Sequence, residues 1–442
     1  MDPVLLARIQ FALTVGFHFI FPPITIGLAW ILVVLETVGW RTQNPVYVKT
    51  AKFFGELLAI TFAVGVATGI TMEFQFGTNW AQYAKFVGDI FGAPLAAEAV
   101  IAFFLESTFI GLYLFGRNRV SRGVHWFSCL MVAVGSTLSA FWILVANSWQ
   151  QTPAGFVLRN QRAELTDFAA AVFNPSTLPR FLHTMDAALI TGAFFTAGIA
   201  AYLLLKKRDS QTGRAALSVA LITAALFSLL ALFHSGHAHA KQVLATQPAK
   251  FAALEGVNET TDDAPLVLLG LPGAEPKRIR PLLTLPHITG WLANGFTKKP
   301  IAGLSSFKNE DLPPVFLPFA AYHIMIGLGC LFIGVSVLGV WLLATRRLWK
   351  ATWFLFLLVP TIPLPVINCQ LGWIAAEVGR QPWIVYNLLR TRDAISLSVP
   401  AGQILFSLLL FGSLYFVLGC LYVFLIAKRV QTQVARELKE VA

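Results

Sequence analysis

The feature that most constrains this chain is a succession of apolar runs, each about 20 residues long, that recurs from one end to the other. A run of that length, wound as a helix, crosses the ~30 Å hydrocarbon layer of a bilayer, where a lipid-exposed backbone must satisfy its own hydrogen bonds. Nine runs are read, roughly at 9–38, 53–76, 94–115, 125–147, 181–205, 215–235, 315–345, 352–372 and 402–427. Of the 442 residues, 56% are hydrophobic and only 12% charged, about half the charged share of a soluble domain. The expectation is an all-α polytopic membrane protein with about nine transmembrane helices and one long extracytoplasmic loop. The first run starts near Ile9 with no basic stretch before it and no small-residue cleavage site after it, so it reads as a retained span.

No internal repeat is visible. The long connection, 236–314, is rich in Pro, Lys and acidic residues and reads as a mobile surface loop. It separates helices 1–6 (residues 1–235) from helices 7–9 and a C-terminal tail (315–442). Connections 1–2, 3–4, 5–6 and 7–8, with the C-terminus, carry 17 of the 33 Lys and Arg residues, among them Arg41, Arg117, Lys206, Arg346 and Lys428. The opposite side, leaving out the long loop, carries eight: Arg8, Lys85, Arg159, Arg162, Arg180, Arg380, Arg390 and Arg392. The positive-inside rule places the N-terminus and the long loop outside and the C-terminus in the cytoplasm. The net charge of +11 therefore reads as topology and lipid contact, not as nucleic-acid binding. Cys129, Cys330, Cys369 and Cys420 lie within or at the ends of apolar runs, without metal-site or haem-attachment spacing, and read as small hydrophobes.

On that map His18, His183, Met325 and Glu377 converge near the outer face from four separate segments. An ionisable group at membrane depth suggests function, although a lone His is as readily a hydrogen-bonded structural residue. His18 sits among aromatic and aliphatic neighbours in FALTVGFHFIFPPITIG, which suits a flat macrocycle with iron. A Met gains interest only when paired with a His, as in the low-spin haem ligand set. Arg180, three residues before His183, could reach a propionate. Glu98 and Glu106 stand eight residues, or ~12 Å, apart along one helix and about 80° out of line, a form suited to a proton relay. Ser107, Asn147 and Gln150 are their candidate companions. Lys250 and Glu255 in TQPAKFAALEG read, taken alone, as a solvated pair. His234, His237 and His239 in HSGHAHAK have no carboxylate or Cys nearby, and metal binding there is not expected.

Seven ordered segments then resemble subunit I of the cytochrome bd family of quinol oxidases: RIQFALTVGFHFIFPPITIG, AEAVIAFFLESTFIGLYLFG, SAFWILVANSW, RFLHTMDAALITG, TQPAKFAALE, HIMIGLG and GWIAAEVGRQPW. The resemblance implies three haems near the outer face. His183 and Met325 would ligate a low-spin haem b, while His18 and Glu377 would serve a high-spin haem b and a haem d, or a further haem b, in an order left open. Arg8, Arg180 and Arg380 would meet propionates or Glu377, and Trp373 would bridge haems. Glu98, Glu106 and Ser107 would lead towards the proton supply, and Lys250 and Glu255 would handle quinol. It further implies a second subunit, small single-span subunits, O2 and quinol as substrates, membrane lipid around the chain, and a place in the bacterial inner membrane. Two departures stand out. His323 occupies the position where the family pattern has Arg, two residues before the Met. The loop is short, as in a branch some of whose members carry haem b in place of d and resist cyanide.

Two rival functions predict different features. A proton-coupled transporter calls for inverted repeats and ligands at the midplane. A membrane b-type cytochrome without oxygen reduction needs only His183 and Met325 and leaves His18 and Glu377 without a role.

Overall fold

A computed structural model describes residues 2–273, 277–295 and 299–439. Parts of the long loop (274–276 and 296–298), the first residue and the end of the tail (440–442) lie outside the described residues. Among the described residues nine helices are long and apolar enough to cross a membrane. They are span 1 (Pro3–Thr42), span 2 (Pro45–Gln75), span 3 (Ala81–Phe115), span 4 (Arg122–Gln151), span 5 (Thr177–Lys206), span 6 (Gln211–Thr246), span 7 (Phe316–Ala344), span 8 (Thr352–Val378) and span 9 (Ala401–Lys439). The all-α membrane architecture expected from the apolar runs is the one found.

Span 1 is broken. Its first helix ends at His18 and the next begins at Phe21, followed by Pro22 and Pro23. Proline has no N–H, and its ring crowds the carbonyl four residues back, so the prolines end the first helix at His18. Span 5 is the most buried, packed against spans 1, 4, 6 and 8. Its contact with span 1 is close: a Cβ on Gly192 would lie 2.4 Å from the Gly27 carbonyl carbon, and one on Gly27 would lie 2.2 Å from the Ala188 carbonyl oxygen. Spans 3 and 9 are the least buried, and Phe406, Leu409, Phe416 and Phe424 of span 9 are exposed.

Several boundaries differ from the sequence reading. Span 6 continues through the HSGHAHAK stretch to Thr246, eleven residues beyond the expected end. Span 3 begins at Ala81, well before residue 94. The long connection holds a short helix, Pro248–Glu255, and a hairpin of strands Leu266–Pro272 and Ile279–Leu285. It has a hydrophobic centre of its own, where Phe251, Val257, Val267, Ile279 and Leu304 pack with Phe319 of span 7. Its polar composition conceals these few apolar residues, which suffice to fasten it to the bundle.

Three spans contain a π-helical turn: Glu98–Phe103 in span 3, Ala231–Gly236 in span 6 and Ile374–Val378 in span 8. Such turns insert a residue into the α-helical register and concentrate at functional sites. Each one here contains or touches a candidate residue.

Candidate functional site

Glu377 lies in the π-turn that ends span 8 and is the hub of a polar knot. Its Oε1 accepts from Asn147 Nδ2 at 3.2 Å and from Gln151 Nε2 at 3.0 Å, and lies 3.6 Å from the Arg180 guanidinium. Its other oxygen pairs with Arg380. Both arginines are buried, and their charges offset the burial of the carboxylate. Arg180 also donates to Asn147, and Arg380 donates to Gln150 at 2.9 Å. Asn147 and Gln150 therefore serve these arginines and not the Glu98–Glu106 pair, because they lie at the far end of span 4. Gln151, the next residue, was missed by the sequence reading; only its place in a run of polar residues closing span 4 signals it.

Lys250 joins the same knot. Its ammonium donates to Gln151 Oε1 at 3.1 Å, and burial, with Arg180 adding to the effect, holds its pKa well below the ordinary lysine value. Glu255 is buried one helix length away, accepting from Tyr322 at 2.8 Å and Thr289 at 3.3 Å. Its pKa is raised by burial, against the opposing pull of those two hydrogen bonds. The sequence reading of a solvated pair is corrected here, because the short helix turns Lys250 towards the ends of spans 4 and 8 and Glu255 towards Tyr322 of span 7 and Thr289. Arg8 stands apart. It lines a cavity of about 840 Å³ with Lys277, Arg278, Arg390 and Arg392, between the start of span 1, the hairpin and the segment after span 8.

The three uncharged candidate ligands share a local design. His18 Nδ1 meets Thr68 Oγ1 at 3.0 Å, and a Cβ on Gly69 would come within 3.2 Å of its ring. His183 Nδ1 meets Ser235 Oγ at 3.3 Å, Ser235 in turn donates to Asp186 at 2.5 Å, and a Cβ on Gly236 would reach the His183 ring at 3.3 Å. A Cβ on Gly372 would come within 3.3 Å of the Met325 sulfur. Each imidazole thus has one nitrogen fixed by a hydroxyl, which leaves Nε2 for a metal, and a glycine clears space beside each ligand. The Nε atoms of Arg180 and Arg380 are buried with no hydrogen-bond partner among the described residues, as suits anionic propionates. The donor set and these unpartnered Nε atoms fit haem. Trp373 packs edge-on to Phe19 at 5.1 Å, so it stands between the Met325 and His18 neighbourhoods. His323 turns away, bonding the Phe319 carbonyl at 2.9 Å.

Glu98 and Glu106 both face span 4. Ser139 donates to Glu98 at 2.7 Å and Ser136 donates to Glu106. The π-turn after Glu98 adds one residue, ~100° of helix, and so removes most of the ~80° offset between the two acids. Their serine partners lie one turn apart on span 4. Ser107 instead bonds the Phe104 carbonyl of its own helix, at 3.4 Å. Ser136 and Ser139 were missed; their spacing of three is a weak helical signal. Glu73 of span 2 lies within electrostatic reach of Glu98 and was also missed. His234, His237 and His239 form no metal-binding group among the described residues.

Comparison with known proteins gives consistent matches. The family model for cytochrome bd terminal oxidase subunit I matches residues 6–434. Cytochrome bd ubiquinol oxidase subunit 1 of Bacillus subtilis is 40% identical, covering 98% of this chain and 94% of the relative. Cytochrome bd-II ubiquinol oxidase subunit 1 of Escherichia coli is 35% identical, covering 94% and 93%. The bd oxidase structure from Geobacillus thermodenitrificans superposes with a TM-score of 0.91 at 31% identity, covering 98% of this chain and 99% of that one.

Proposed function

Because the chain belongs to the cytochrome bd terminal oxidase subunit I family, haem-containing terminal quinol oxidases that work with a second subunit, we propose how its residues divide that work. Quinol is oxidised at the end of the bundle that holds Lys250 and Glu255, and O2 is reduced to water at the level of Glu377 and His18. His183 and Met325 hold a low-spin haem b; His18 and Glu377 hold the high-spin haem b and a haem d, or a further haem b. When bound, these haems accept single electrons and provide the site where O2 is reduced.

The chain's own groups handle position and protons. Glu255, buried and bonded to Tyr322, receives a proton from the quinol hydroxyl, and Lys250 orients the headgroup. Arg180, Arg380 and Arg8 bind propionates, and Trp373 fills the space between cofactors. Glu98 and Glu106, held by Ser139 and Ser136, pass protons from the cytoplasmic side towards the oxygen site. Protons released outside and consumed from inside generate proton motive force without a pump. In this reading the N-terminus and long loop face outward from a bacterial cytoplasmic membrane, and the exposed apolar flank of span 9 meets lipid or a further subunit.

The observation that carries the proposal is the convergence of Arg180 and Lys250, from two other segments, on the Glu377–Arg380 pair at the end of span 8. The purified complex should show b-type haem, with d-type or additional b-type haem, in a pyridine haemochrome spectrum, and should consume O2 with quinol. A protein without haem absorbance would overturn it. A single low-spin b signal without oxygen consumption would favour the electron-carrying cytochrome.

A further inference from the structure

A second buried titratable cluster lies at the opposite end of spans 3 and 4, on the side that the basic connections assign to the cytoplasm. Glu36 of span 1 pairs with Arg117 at 2.5 Å, in the connection after span 3, and accepts from the Tyr113 hydroxyl at 3.3 Å. His125 Nδ1 lies 3.9 Å from its other oxygen, while His125 Nε2 meets the Tyr113 carbonyl at 2.9 Å. Cys129 borders the same group, and span 2 contributes the Ala51 carbonyl, which Tyr113 reaches at 3.4 Å. Glu36, Tyr113, His125 and Cys129 are buried, whereas the Arg117 side chain retains 22% exposure. A buried carboxylate thus touches a cation that itself touches water.

Helical periodicity ties this cluster to the relay. Glu106, Ile110 and Tyr113 follow at intervals of four and three on one face of span 3, and Arg117 comes four residues later in the connection. His125, Cys129, Val132 and Ser136 form the matching face of span 4. The two faces meet closely: a Cβ on Gly135 would lie 3.0 Å from the Glu106 Cβ. On these two faces Ile110 and Val132 lie along the ~10 Å, two turns long, between Tyr113 and Glu106.

We propose that Glu36, with Arg117, His125 and Tyr113, is a proton entry point of this subunit that loads Glu106 along the seam between spans 3 and 4. The inference rests on the oxidase reading above. A proton from the cytoplasm protonates the Glu36 carboxylate and leaves it for Glu106; no electron moves in this step. Water entering between Ile110 and Val132 completes the connection.

The test uses the complete purified oxidase. Glu36→Gln should lower quinol-driven O2 consumption about tenfold or more, most at high pH, whereas anaerobic reduction of the haems by quinol keeps its rate. Glu36→Asp should retain most turnover, and Tyr113→Phe should slow it. A purely structural role would impair haem reduction and turnover together, which overturns the proposal. Parental turnover in both Glu36→Gln and Tyr113→Phe would do the same. If Glu36→Gln does not assemble, Glu36→Asp and Tyr113→Phe carry the test. If the parent protein itself consumes no O2 with quinol, the oxidase reading fails instead.

Discussion

Lys250 and Glu377 are joined through one side chain: Gln151 accepts from the Lys250 ammonium at 3.1 Å and donates to the Glu377 carboxylate at 3.0 Å. The residue proposed to handle quinol and the one proposed to ligate a haem are thus two hydrogen bonds apart. Replacing Gln151 with Leu removes both bonds and leaves a buried amine without its acceptor, at a cost of about 1–3 kcal/mol. Thermal unfolding should report that loss, and quinol oxidation should slow. A variant with parental stability and turnover would show that the bridge has no part in either.

Glu255 sets a pH dependence. Burial raises its pKa in the fold, so the folded chain binds this proton more tightly than the unfolded chain does. Its contribution is full below the ordinary carboxylate range and is lost as pH rises through the folded value. Unfolding measured across that interval should show stability falling with pH, and Glu255→Gln should flatten the fall. The same variant should lose most quinol oxidation while keeping its haem spectrum.

The relay distinguishes two serines. Ser136 donates to Glu106, whereas Ser107 bonds its own helix. Ser136→Ala should slow oxygen consumption several-fold, with haem absorbance unchanged, and Ser107→Ala should have little effect. The reverse ranking in an oxygen-electrode assay would sink this assignment.

Low-spin ligation is tested by three neighbours. His183→Ala and Met325→Ala should each abolish the low-spin haem signal, read by absorbance and by haem content. His323→Ala should leave it in place, because His323 packs on the Phe319 ring at 4.1 Å and bonds its carbonyl. Loss of the signal only in the His323 variant would reassign the ligand.

The crossing of spans 1 and 5 predicts a large effect from a single methyl group. Gly192→Ala would force atoms apart at a 2.4 Å approach, destabilising the fold by about 1–3 kcal/mol or more. Gly327→Ala, where a Cβ would meet nothing within 4 Å, should be neutral or mildly stabilising. Equal melting temperatures for the two variants would refute the packing argument.

The sequence by itself determined the class of fold and the number of spans, and it singled out His18, His183, Met325 and Glu377. Hydropathy and the distribution of Lys and Arg are properties summed along the chain, so a linear reading recovers them. The motif segments likewise pointed to the family. Only the tertiary structure decided how those residues are held. It put Gln151 beside Glu377, set Ser136, Ser139 and Glu73 beside the Glu98–Glu106 pair, and moved Asn147 and Gln150 to the arginines. It also buried Lys250 and Glu255, which lie in a connection whose composition reads as solvated loop, against the bundle. The π-turn at Glu98 explains part of this difference. One inserted residue rotates everything beyond it by ~100°, and whether that insertion occurs depends on packing against neighbouring helices, to which a single-chain periodicity is blind.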